Sequence, residues 1–144
     1  MTNETLSWMA GVFESEGSIR INTVTKRNRG NLLCDMVNTD REMVEPFFNR
    51  WQGFFRYVEP IGRRKGFYRW RIASREARDF LIVITPFFRT ERMKAKAVLA
   101  LKFQNQKTSA WKTNRSAEYI ELQSQFYEEM KRLNMRGTGE EIVQ

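Results

Sequence analysis

The chain has 144 residues, with 25 Lys and Arg against 17 Asp and Glu, a formal net charge of +8, one cysteine and no histidine. That length suits a single domain (1–144) able to bury a core, and the basic balance points to a polyanionic partner, nucleic acid ahead of membrane. Ser–His–Asp hydrolysis, His-ligated zinc, an internal disulfide and a cysteine zinc cluster are excluded by composition, and no apolar run approaches membrane-spanning length.

The first element is a helix that starts at a polar cap, Asn3 or Thr5, and runs to about residue 16. Leu6, Met9, Ala10 and Phe13 have helical spacing and predict one buried stripe. Ser7, Gly11 and Ser15 fall four residues apart beside Trp8 and Val12, leaving a track with little bulk along which a second helix can approach. Gly17 suits a helix end with positive φ. Glu16 therefore sits where helix gives way to strand, and a carboxylate at a helix C-terminus opposes the macrodipole.

Residues 18–26 alternate as a strand, with Ile19 and Ile21 inward and Arg20 and Asn22 outward. A basic turn follows, containing Lys26, Arg27 and Arg29, and then a return strand over 31–37. There Leu32, Cys34 and Met36 face inward, while Asn31, Leu33 and Asp35 share the outer face with Arg20 and Asn22. Asp40 or Thr39 caps a second helix with an apolar stripe of Met43, Val44, Phe47, Phe48 and Trp51, closed by Gly53.

A third strand is predicted over 56–61, with Pro60 marking an edge or an end. Gly62 to Gly66 is a turn carrying Arg63, Arg64 and Lys65. Residues 67–73 form the clearest strand: Tyr68, Trp70 and Ile72 alternate with Phe67, Arg69 and Arg71. Ser74 caps a helix over 75–84, ended by Thr85-Pro86. Thr90 caps a longer one over 91–106, with Met93, Ala97, Ala100 and Leu101 inside and Arg92, Lys94, Lys96 and Lys102 supplying charge. A polar loop around Trp111 leads to a last helix, capped by Ser116 and striped by Tyr119, Leu122, Phe126, Met130 and Leu133.

The fold class is thus α+β. An αββαββα core over about 4–106 has a twisted antiparallel four-stranded sheet with helices on one face. A helical extension occupies 107–134 and a frayed tail 135–144. The open face would carry Arg20, Asn22, Arg69 and Arg71 for base edges in a major groove. The turns at 26–29 and 63–65 would hold phosphates.

Met9-Ala10-Gly11-Val12-Phe13-Glu14-Ser15-Glu16-Gly17 resembles the LAGLIDADG motif of homing endonucleases. Ala10, Gly11 and Gly17 match it literally, Met replaces the first Leu, and Glu replaces both Asp residues. The element order resembles the family's core as well. The resemblance implies a site-specific double-strand DNA endonuclease. Because only one motif is present, it also implies a homodimer cutting a long, near-palindromic site. Glu16 would be the catalytic, metal-binding carboxylate, with the Ser15 carbonyl as a further ligand of Mg²⁺; Mn²⁺ or Ca²⁺ would substitute for binding. The two copies would meet through Ser7, Trp8, Gly11, Val12 and Ser15. Asn38, at the end of the second strand, matches a polar residue that organises hydration water, and its alternative role is a helix cap. Lys94, with Arg92 as its rival, matches a basic residue acting on the water network or the phosphate.

Two other readings stand beside this one. The first is a cleavage-inactive relative acting as an RNA maturase on host intron RNA, or as a DNA-binding regulator. The second is a basic structural protein of a ribonucleoprotein. In every case the expected setting is soluble and intracellular, in cytoplasm, nucleoid or organelle, without membrane association.

Overall fold

Hydrophobic periodicity and turn chemistry give five α-helices and four strands among the described residues, in an order that follows the expectation closely. The computed structural model describes residues 1–22, 30–110 and 117–135. In chain order these are α1 (Asn3–Glu16), β1 (Gly17–Ile21), β2 (Leu32–Asn38), α2 (Arg41–Trp51), β3 (Phe54–Val58), β4 (Phe67–Ala73), α3 (Ser74–Ile84), α4 (Glu91–Ala110) and α5 (Ala117–Asn134), with a 3-10 turn at Thr85–Phe87. The strands make one antiparallel sheet in the order β1-β2-β4-β3. Lys26, Arg27, Arg29, Trp111, Ser116 and the tail from 136 lie outside the described residues.

One face of the sheet is apolar because the strands alternate. Ile19, Ile21, Leu32, Cys34, Met36, Trp70 and Ile72 are all buried, and α1, α2, α3 and α4 pack over the sheet. Phe47 of α2 is the hub of an aromatic cluster. Its ring centroid lies 5.2 Å from Trp70, 6.3 Å from Phe80 and 6.5 Å from Phe13. The Trp70 indole N–H is satisfied in this setting, donating to the carbonyl of Gln52 at 2.8 Å. Truncating any of these fully buried rings to alanine would cost about 3–5 kcal/mol. α5 packs on α4 and along the β1 edge, where the Asn134 amide donates to the carbonyl of Ile19 at 2.9 Å.

Several boundaries differ from expectation for local reasons. Thr2 is the cap of α1, accepting from the Thr5 N–H at 3.1 Å, in place of Asn3 or Thr5. Gly17 has extended backbone, φ −96°, and not positive φ. It is glycine because a Cβ there would lie 2.4 Å from the ring of buried Phe13. β3 begins and ends earlier than expected, directly after Gln52 and Gly53, which turn the chain with φ of 61° and 96°. Pro60 falls beyond the strand, and the basic turn is closed by Ile61 and Arg64 exchanging backbone hydrogen bonds. Ser74 opens α3 at φ 52° with no side-chain cap in place. α4 continues through Ala110, where a loop was expected.

Leu6 and Leu101 are only half-buried, and Lys96 is buried despite its expected place on the charged face. Among the described residues no helix is long and apolar enough to cross a membrane.

A candidate nucleic-acid interface and its acidic margin

The sheet face away from the helices is organised by cross-strand rows. Ser18, Asp35, Arg71 and Phe54 form one row across all four strands. Arg20, Leu33 and Ala73 form the next on one side, and Val37, Arg69 and Arg56 the next on the other. Arg20, Arg69 and Arg71 therefore emerge together on one face, as the alternation predicted. Asn31 is exposed, and Asn22 and Leu33 are half-buried.

Asp35 departs from its expected exposure. Its side chain is 6% accessible, lying beneath Arg20, Arg69 and Arg71, whose side chains are 47%, 35% and 37% accessible. It cannot present its carboxylate to a base as the shared face suggested, because its arginine neighbours cover it. The pairing with these arginines was missed in the sequence, where contacts between β1, β2 and β4 are not visible.

Two further residues of this face were also missed. Arg56 and Phe54 on β3 are exposed, with the Arg56 guanidinium 6.0 Å from the Phe54 ring centroid. The signal was present in the alternation of Phe54 and Arg56, but the expected strand began at Arg56 and so left Phe54 out. Arg63, Arg64 and Lys65 are all exposed at the β3–β4 turn. Arg64 is held over the Phe67 ring at 5.2 Å and donates to the carbonyl of Glu59 at 3.3 Å.

At the end of α1 the two motif glutamates have different environments. Glu14 reaches the start of α4: its carboxylate accepts from the N–H groups of Arg89 and Thr90 and from the Thr90 hydroxyl, at 2.8–3.0 Å. Partial burial pushes Glu14 upward, but the N–H groups of Thr90 and Arg89, the Thr90 hydroxyl and the Arg89 charge together outweigh it. The carboxyl is held below its ordinary value. Thr90 caps α4 as expected, accepting from the Met93 N–H at 3.2 Å. Glu16, two residues on, is exposed and has no hydrogen bond or ion pair among the described residues. Glu16 is the last residue of α1, immediately before Gly17, whose strand partner is Met36 at the start of the β1–β2 register.

The other expected site residues belong to β2, α4 and α1. The Asn38 carboxamide oxygen accepts from the Asp40 N–H at 2.8 Å, so its side chain holds the turn in which Asp40 caps α2. Arg92 donates to the carbonyl of Leu133 at 3.3 Å, tying α4 to α5. Lys94 is half-exposed with its ammonium 3.6 Å from Glu91. Ser7, Trp8, Gly11 and Ser15 are exposed along α1, while Val12 is 7% accessible and belongs to the chain's own core. The Ser15 hydroxyl folds back onto the carbonyls of Val12 and Gly11, at 3.1 and 3.3 Å, which flattens the exposed face. Among the described residues no three His, Cys, Asp or Glu side chains converge.

No protein-family model matches this chain, and no curated protein sequence does. Solved structures do. The homing endonuclease I-CvuI, solved in complex with the I-CreI target, superposes with a TM-score of 0.73 at 12% identity, covering 94% of this chain and 85% of that one. The archaeal intron-encoded homing endonuclease I-Vdi141I, complexed with DNA, gives 0.72 at 13% identity, with 94% and 87% covered. The LAGLIDADG meganuclease I-AabMI, bound to uncleaved DNA, gives 0.59 at 17% identity; 85% of this chain matches 43% of that one. At such identities the likeness is one of architecture: this chain has the fold of the LAGLIDADG homing endonucleases.

Proposed function

We propose that the protein is a site-specific, metal-dependent double-strand DNA endonuclease that acts as a homodimer on a long, near-palindromic site. The observation that carries this reading is the placement of a free, exposed carboxylate, Glu16, at the margin of an arginine-bearing sheet face. The net charge of +8 suits a duplex partner. The structural neighbours bound to DNA support it as well.

The sheet would lie in the major groove, where Arg20, Arg69, Arg71 and Arg56 offer donors to guanine edges and Phe54 offers an apolar surface to a thymine methyl. Arg63, Arg64 and Lys65 would hold backbone phosphates and fix the register. The small-residue face of α1 would pack on its symmetry mate, bringing the two Glu16 carboxylates together. Two such carboxylates repel unless a cation lies between them.

The donors available suit a hard divalent cation such as Mg²⁺. Glu16 is an unengaged carboxylate, and Ser15 lies two residues beyond Phe13, whose carbonyl accepts from the Gly17 N–H that closes α1. Glu16 and the Ser15 carbonyl would hold the ion, with the second copy completing the oxygen set. Bound there, it would activate water and stabilise the leaving oxygen of the phosphodiester. Lys94 would act on the phosphate or its water, with Arg92 as the alternative; Lys94 pairs with Glu91 and Arg92 Nε donates to the Leu133 carbonyl. Asn38 would act on hydration water through the part of its carboxamide not used by the turn.

The test is Glu16→Gln, which keeps shape and hydrogen bonding while removing the charge. Cleavage should fall below detection, and specific duplex binding should persist. Unchanged cleavage would remove Glu16 from the site. A wild-type protein that binds one sequence without cutting it would transfer the reading to the regulator or maturase.

A further inference from the structure

Three outward arginines share one buried acid. Asp35 Oδ2 accepts from Arg20 Nη2 at 2.9 Å, Arg71 Nη2 at 2.8 Å and Arg71 Nε at 3.2 Å. Its Oδ1 is buried without a hydrogen bond and lies 3.5 Å from Arg69 Nε. The register explains the convergence. Arg71 stands directly beside Asp35, while Arg20 and Arg69 reach it diagonally from the rows on either side. Arg69 is bounded on its other flank by the Phe67 ring, 5.8 Å from its guanidinium.

We propose that Asp35 is a positioning residue for sequence discrimination, fixing Arg20, Arg69 and Arg71 in one arrangement without touching DNA itself. The inference rests on the DNA-reading function proposed above. A guanidinium has five N–H donors. Arg71 commits its Nε and one Nη2 hydrogen to Asp35, which leaves its Nη1 end for the N7 and O6 of a guanine. The rotamer freedom of three long side chains is given up on folding and not on binding.

The charge acts in the same direction. Sequence-blind affinity is set by the cations presented to phosphates. A carboxylate beneath three arginines lowers that sequence-blind pull while holding the donors that read bases. Asp35 thus separates specific from non-specific binding from both sides. An acid that served only to hold the sheet together would change both affinities in parallel.

The experiment uses the full chain and a duplex recovered by binding selection from a randomised pool, in EDTA so that no strand is cut. Wild type and Asp35→Asn are titrated with that duplex and with a scrambled duplex of equal composition, across a salt series. For Asp35→Asn the scrambled duplex should bind more tightly, with a salt slope steeper by about one per chain. The discrimination ratio should fall on the order of 10-fold, and Asp35→Glu should recover part of it. An unchanged ratio, or a parallel loss of both affinities, would overturn the inference. Should Asp35→Asn fail to fold, Arg71→Lys keeps the charge and removes the fork: the ratio should fall at constant salt slope, and an unchanged ratio is again refuting. A wild-type protein that does not distinguish the duplexes would instead sink the DNA-reading function beneath it.

Discussion

Gly11 lies in the middle of α1, where glycine costs about 0.5–1 kcal/mol relative to alanine. Nothing among the described residues requires it, since a Cβ built there meets none of their atoms within 4 Å. On the monomer alone, Gly11→Ala should therefore stabilise, raising the melting temperature by about 2–5 °C for a domain of this size. A helix docked across Ser7, Gly11 and Ser15 reverses the sign. Overpacking costs ~1–3 kcal/mol at each site and symmetry applies it twice, so Gly11→Leu should weaken the dimer on the order of 100-fold. Sedimentation velocity over a dilution series reads the association, and thermal melts at concentrations where the variants are monomeric read the intrinsic gain. A Gly11→Leu protein that dimerises as tightly as wild type would refute α1 packing, as would a wild type that stays monomeric throughout.

Other substitutions test how the acidic margin is held. Glu14→Ala removes the acceptor for the Arg89 and Thr90 N–H groups, and should cost about 1–2 kcal/mol in denaturant melts. It should also reduce cutting, because it frees the start of α4 from the end of α1. Gly17→Ala forces a Cβ against the buried Phe13 ring, and should cost ~1–3 kcal/mol while displacing Glu16. Full stability in that variant, measured calorimetrically, would contradict the contact. Burial, with the Asp35 charge adding to it, pushes the Cys34 thiol well above its ordinary value. Native protein should resist a thiol-specific disulfide reagent and react only at the rate of unfolding; prompt labelling would refute the burial.

Much of the architecture is legible in the sequence because it rests on period. Tyr68, Trp70 and Ile72 against Phe67, Arg69 and Arg71 fix both the strand and its two faces without reference to any partner. Gly17 shows what was less legible. A glycine at a helix end suggested φ > 0, but the operative constraint is a ring that packs against it, and local spacing does not encode that. Ser74 similarly matched the chemistry of a cap without acting as one.

The candidate site divides along the same line. Exposure of Glu16, Arg20, Arg69 and Arg71 follows from one chain's alternation and helix phase. The covered state of Asp35 depends on three strands meeting, and the burial of Val12 on α1 docking to its own sheet. A two-residue error at the start of β3 left out Phe54, while Arg56, the first residue of the expected strand, was not assigned to the open face. Resemblance to a motif singled out Glu16, whereas the network of Asp35 with Arg20, Arg69 and Arg71 belongs to tertiary structure.

The most direct test of the account is a cleavage selection on randomised duplex DNA, run with Mg²⁺ and with EDTA in parallel, for wild type and Glu16→Gln. One long, near-palindromic site should be recovered, cut only by wild type and only with Mg²⁺ present. Cutting that survives EDTA or the loss of the Glu16 charge would contradict the assigned site, and recovery of no preferred sequence would contradict the function.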